Sequence, residues 1–192
     1  MEEEASEILH DATEEEPKKS KNLGTEIAAL FRGIGLRRRR TREDSGNQHS
    51  LWIFRMIILD TDVLSALMRQ RPELRVVEWL DRQSAVSIWT TTISVMEIHF
   101  GLQTMPKGSR QKSMARAFEL LIGEGIERRI ASFDVEAAGQ AASLMATRKV
   151  KGRHGDSKDA MIAAIAVANR ATLATRNTPG DLPVPVINPW LA

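Results

Sequence analysis

Beyond residue 55 the chain alternates short apolar runs with segments of helical spacing, and this rhythm constrains the fold more than any other feature. Residues 56–59, 85–88, 129–133, 172–175 and 184–187 read as strands. Residues 63–68, 76–80, 93–102, 110–122, 136–148 and 156–170 read as helices, the last being the most apolar. Strands that take turns with helices imply an α/β fold: a parallel sheet with right-handed crossovers and helices on both faces.

Composition changes near residue 55. Before it lie the acid clusters 2–4 and 14–16, the basic stretch 17–21, and the run Arg37, Arg38, Arg39 and Arg40. Residues 1–50 are expected to form a mostly extended or short-helical appendage without its own core, ending in a polar linker, and residues 56–192 the domain. Within the appendage Thr25 reads as a helix N-cap, with Ile27, Leu30 and Phe31 on one face. So short a helix is marginal alone and needs a groove to bury its stripe.

Net charge is only +2, so nucleic-acid binding would have to come from local patches rather than from the chain as a whole. No apolar run reaches the length of a membrane span, and the acidic start lacks the apolar segment of a signal peptide. The absence of cysteine excludes disulfides, thiolate zinc sites and a cysteine nucleophile, and fits a reducing cytoplasm, the expected location.

Carboxylates carry the chemistry. Asp60 follows a strand and precedes a helix, which puts it at the C-terminal edge of the sheet where sites gather. A competing reading makes Asp60 or Asp62 a helix cap, with Asp62 the readier of the two. Glu97 also has a structural reading, because Ser94-Val95-Met96-Glu97 fits a capping box. Asp156 can cap the last long helix, and Asp159 sits in the same first turn, favoured by the helix dipole. Residues 160–166 are almost wholly apolar, and a helix buried that deeply carries its first turn to the sheet edge beside Asp60. Acids converging there would repel one another unless a cation neutralised them. A hard divalent metal would do so, and such a metal can hydrolyse phosphodiesters.

Other chemistries compete poorly. His10, His49, His99 and His154 lack metal-ligand spacing, and His99 reads as a structural or rim residue. There is no P-loop and no nucleophile elbow. Trp52, Trp79, Trp89 and Trp190 are too scattered for a base-stacking platform. Asp60-Thr61-Asp62 with the later acids Asp156 and Asp159 superficially resembles haloacid-dehalogenase phosphatases, whose first Asp is a nucleophile. In that family, however, the later motif follows a strand, whereas residues 149–154 form a polar stretch.

Five segments in order resemble the PIN-domain ribonucleases of the VapC toxin type. They are residues 56–65 (Met-Ile-Ile-Leu-Asp-Thr-Asp-Val-Leu-Ser), 93–98 around Glu97, 159–164 from Asp159, 174–177 (Ala-Thr-Arg-Asn), and 186–190 ending in Pro189-Trp190. The resemblance implies an α/β/α sandwich with Mg²⁺ or Mn²⁺ held by Asp60, Glu97 and Asp159. Asn177 falls at a fourth position near the metal. Thr61, Asp156 and Arg176 are accessory candidates, with Arg176 either holding the phosphate or pointing away into the structure. It further implies a homodimeric, cytoplasmic endoribonuclease toxin that cuts structured or transfer RNA. Two departures stand out: Asp62 where family members commonly carry Asn, and Asp181 one place late for the motif that many of them share.

The appendage resembles the C-terminal half of VapB or FitA-type antitoxins, without the DNA-binding half. That implies either a cognate VapB-like antitoxin as partner or the chain's own N-terminal segment acting in cis. In the cis case Arg37, Arg38, Arg39 and Arg40 would enter the acidic pocket, and the chain would be a self-inhibited fusion acting as a binding module. The same arginines also read as a solvated linker. Joined antitoxin and toxin reading frames, or a domain starting at Met56, would account for both resemblances.

Overall fold

In the computed structural model, residues 22–32, 56–69, 71–152, 155–177 and 182–192 are described. Arg37, Arg38, Arg39, Arg40, His154 and Asp181 fall outside them. Five parallel strands form the sheet: β1 (Ile57–Leu59), β2 (Ile88–Thr91), β3 (Ile130–Ala131), β4 (Thr172–Ala174) and β5 (Val186–Ile187). Their order is β3-β2-β1-β4-β5. β1 pairs Ile57 with Ile88 on one side and Leu59 with Ala174 on the other. The chain thus builds outward from β1 to β3, then crosses back to add β4 and β5 on the opposite flank. The reversal lies between β1 and β4, and parallel sheets open a crevice beyond the carboxyl ends of the strands at such a point.

The residue alternation of β1 divides the core. Ile57 and Leu59 join one apolar cluster with α2 (Thr61–Leu67), α3 (Leu74–Asp81), α4 (Thr92–Thr104) and α5 (Ser109–Leu120). Ile58 joins the other, with Ala137 of α6 (Val135–Val150) and Ile162, Ala163, Ile165 and Ala166 of α7 (Ser157–Ala168). All three β1 side chains are buried, which explains a continuous apolar run in place of alternation. The result is the three-layer α/β/α sandwich expected. Among the described residues no helix is long and apolar enough to cross a membrane.

The short helix of the appendage, α1 (Leu23–Arg32), is bound to the domain. Leu23, Ile27 and Ala28 are buried in the same cluster as Val76, Val77, Leu80 and Leu121. Fully burying two side chains such as Leu23 and Ile27 supplies about 3–6 kcal/mol before the entropic cost of ordering the segment. Gly24 makes the close approach feasible, since a Cβ there would stand 2.4 Å from the Val77 carbonyl oxygen.

Three expectations need correction. Thr25 is not the N-cap: α1 starts at Leu23, and the cap comes from α3, where Asp81 accepts the Thr25 N–H (2.9 Å) and hydroxyl. The second strand is displaced, because residues 85–87 form a 3₁₀ turn and the strand runs over Ile88–Thr91. Arg129 fixes that turn by donating from Nε to the Ile88 carbonyl and from Nη2 to that of Ala85, both at 2.9 Å. Finally, the helix expected over 110–122 passes into a π-turn, Leu121–Gly125, whose Gly125 lies against Ile27 of α1.

Candidate functional site

Asp60 occupies the switch point itself. Its N–H donates to the Ala174 carbonyl of β4 (3.0 Å), and its extended backbone then turns into α2. One carboxylate oxygen, Oδ1, accepts the Thr61 N–H at 2.7 Å and caps that helix. The other, Oδ2, accepts the Thr175 hydroxyl at 2.6 Å. Asp60 is therefore the cap, and Asp62, exposed two residues further along, is not.

Thr61 extends the network. Its hydroxyl donates to Glu97 Oε2 at 2.6 Å, so one residue bridges the acid after β1 to the acid on α4. The capping-box reading of Glu97 fails. Strand β2 ends at Thr91, whose hydroxyl oxygen accepts the Ser94 N–H at 2.9 Å, so α4 begins at Thr92 and Glu97 is its sixth residue. Freed from the cap, Glu97 reaches across to Thr61 and to Lys158 of α7, whose ammonium is 2.8 Å from Oε1. The same ammonium is 3.3 Å from Asp156 Oδ2, while Asp156 Oδ1 caps α7 through the Lys158 N–H (3.0 Å). Asp159 lies in that first turn, at the exposed rim.

Burial pushes Asp60 up to about 6 from its ordinary 3.8, against the opposing hydrogen bonds from Thr175 and Thr61, with the charges of Asp62 and Asp159 adding to the rise. Asp159 is also raised, by partial burial first and then by Asp156 and Glu97, while Arg148 opposes. Asp156 is lowered, chiefly by the Lys158 N–H. Lys158 is raised by its bonds to Glu97 and Asp156. Crowded negative charge is thus a property of this edge.

Hard divalent cations prefer oxygen donors, and the acids here offer nothing else. The donor chemistry fits such an ion. In this conformation, though, no three acid or histidine side chains among the described residues close into a ready-made cation site. Both Asp60 oxygens are taken by threonines, and Glu97 is divided between the Thr61 hydroxyl and the Lys158 ammonium.

The remaining candidates are peripheral. Asn177 has an exposed side chain, and its N–H donates to the Thr175 hydroxyl oxygen at 3.2 Å. Arg176 lays its guanidinium 5.6 Å from the Trp190 ring centre, and its carbonyl accepts from Asn188 (3.2 Å), so it secures the C-terminal tail. His99, half-exposed, packs edge-on against Phe118 and near Glu119. The phosphatase pattern is absent, because Asp156 follows α6 and a turn rather than a strand.

Thr175 and Lys158 escaped the sequence reading of the site. Thr175 lay inside a recognised motif, but only the pairing of β1 with β4 turns its hydroxyl toward Asp60. Lys158 adjoins Asp159 in sequence, yet its partner is 61 positions away on another helix, beyond the reach of any spacing rule.

The family described as PIN domain matches residues 57–179. The plasmid stability protein StbB of Pseudomonas syringae pv. tomato is 39% identical over 139 residues, which cover 71% of this chain and 100% of that protein. The VapC ribonuclease Y4jK of Sinorhizobium fredii is 36% identical over 137 residues, covering 70% and 98% respectively. Among solved structures, FitAcB from Neisseria gonorrhoeae superposes with a TM-score of 0.65 at 32% identity, covering 71% of this chain and 100% of that one.

Proposed function

This chain belongs to the PIN-domain family, and from that membership and the acids at its sheet edge we propose that it is a divalent-metal-dependent endoribonuclease of a toxin–antitoxin system. The observation that carries the proposal is the hydrogen-bonded series Thr175–Asp60–Thr61–Glu97 at the switch point, with the first turn of α7 closing on it. Asp60, Glu97 and Asp159 would hold Mg²⁺ or Mn²⁺. Such an ion supplies Lewis acidity toward a phosphodiester and its attacking water.

The chain's own residues do the positioning. Thr175 and the Thr61 N–H hold the Asp60 carboxylate from two sides, fixing its orientation and favouring its charged form. The Thr61 hydroxyl fixes Glu97 relative to Asp60. Asn177 steadies Thr175 through its N–H and stands at the rim, where its amide can meet substrate. Single-stranded loops are the RNA form that fits best, because their phosphates and bases can splay toward an edge site. A homodimer and a VapB-like antitoxin are the partners that this reading entails.

Full-length protein incubated with structured RNA should cleave it with Mg²⁺ or Mn²⁺ and stop when EDTA is added. Asp60→Asn should abolish cleavage with the fold retained. Undiminished cleavage by that variant, or cleavage in EDTA, would reject the assignment.

A second reading draws on the seating of α1 against the domain core. A tethered segment has a high effective concentration, so residues 1–50 would bind the domain in cis and restrain it. Replacing Arg37, Arg38, Arg39 and Arg40 together by Ser should then raise cleavage by the full chain. An unchanged rate would eliminate restraint through these arginines.

A further inference from the structure

We infer that Lys158 is a built-in counter-ion that competes with a divalent cation for Glu97, and that Asp156 receives its ammonium when the cation binds; this rests on the metal-dependent reading above. The Lys158 ammonium sits 2.8 Å from Glu97 Oε1, the one oxygen of that carboxylate which the Thr61 hydroxyl leaves open. A cation cannot take that oxygen while the ammonium holds it, because two positive charges a few ångström apart repel strongly.

The exit is already built. Asp156 Oδ2 is 3.3 Å from the same ammonium, while Asp156 Oδ1 is occupied by the helix cap. One end of Asp156 thus stays fixed as the other receives charge. The four-carbon lysine stem is flexible enough for the short swing. Its side chain is 41% exposed whereas that of Glu97 is 18% exposed, so the lysine moves and the glutamate stays. The first turn of α7 therefore delivers a candidate ligand, Asp159, and the competitor for another ligand side by side. An ordinary solvent-exposed ion pair would contribute little to stability.

The test uses full-length protein titrated with Mn²⁺, with binding followed by calorimetry and by the electron paramagnetic resonance of the free ion. Lys158→Met should bind Mn²⁺ on the order of tenfold more tightly than the parent, the effect expected from removing one nearby positive charge. Lys158→Arg keeps the charge and should stay closer to the parent than to Lys158→Met. Lys158→Gln serves in place of Lys158→Met should the latter fail to fold. Equal or weaker binding by the charge-removing variant overturns the inference while leaving the metal reading intact. No Mn²⁺ binding by parent and variants alike overturns both.

Discussion

Asp60→Asn should make the metal-free protein more stable above neutral pH, even as it removes the proposed activity. Burial holds the Asp60 carboxyl at about 6 rather than 3.8, an interval corresponding to about 3 kcal/mol. Between those values the folded state binds more protons than the unfolded chain. Stability therefore falls as pH rises from about 4 to about 6 and levels off above that. Asparagine has no charge to desolvate, so the variant lacks this loss. It can still accept the Thr61 N–H, but its amide nitrogen cannot accept the Thr175 hydroxyl, which returns about 0.5–1.5 kcal/mol. The net gain at pH 8 is about 2 kcal/mol, or roughly 4–8 °C in Tm for a chain of this size. Thermal and urea melts of parent and variant in EDTA, from pH 4 to pH 8, would measure it. A variant less stable than the parent at pH 8, or one that keeps the parent's decline between pH 4 and 6, would refute the reasoning.

Thr175→Val removes a bond that favours the charged form of Asp60 without changing the shape of the side chain, so Mn²⁺ affinity near pH 6.5 should fall on the order of tenfold by titration. Gly24→Ala forces a Cβ into the Val77 carbonyl, so α1 should lose about 1–3 kcal/mol of docking and its amides should exchange faster with solvent; unchanged protection would contradict the close packing. Ile58→Ala empties a fully buried position in the central strand and should cost about 2–5 kcal/mol in urea denaturation.

Much of this architecture could be read from residue order alone. Strand β1 and helix α7 were legible because burial on all sides leaves an unbroken apolar run, a signal that needs no partner to interpret. Sequence alone starts the second strand three residues early because Ala85 and Val86 look as strand-like as Ile88. What separates them is the Arg129 side chain taking the Ala85 carbonyl from 44 positions away. Glu97 was open to a capping reading since Ser94 lies three residues before it. Thr91 takes that role only because β2 ends there, which the sequence does not mark. Of the apolar stripe expected on α1, Ile27 is buried against the domain, while the side chains of Leu30 and Phe31 lie outside the described residues; the cap supplied by Asp81 joins residues 56 positions apart on two helices. Lys158 and Thr175 were hidden for the same reason, each acting on an acid distant in sequence.

The most direct measurement is anomalous diffraction from crystals of the full-length protein grown with Mn²⁺. A peak within coordination distance of Asp60, Glu97 and Asp159, with the Lys158 ammonium moved to Asp156, is the predicted result. A peak elsewhere, or the three acids in their present positions around no ion, would contradict the proposal that they form one metal centre.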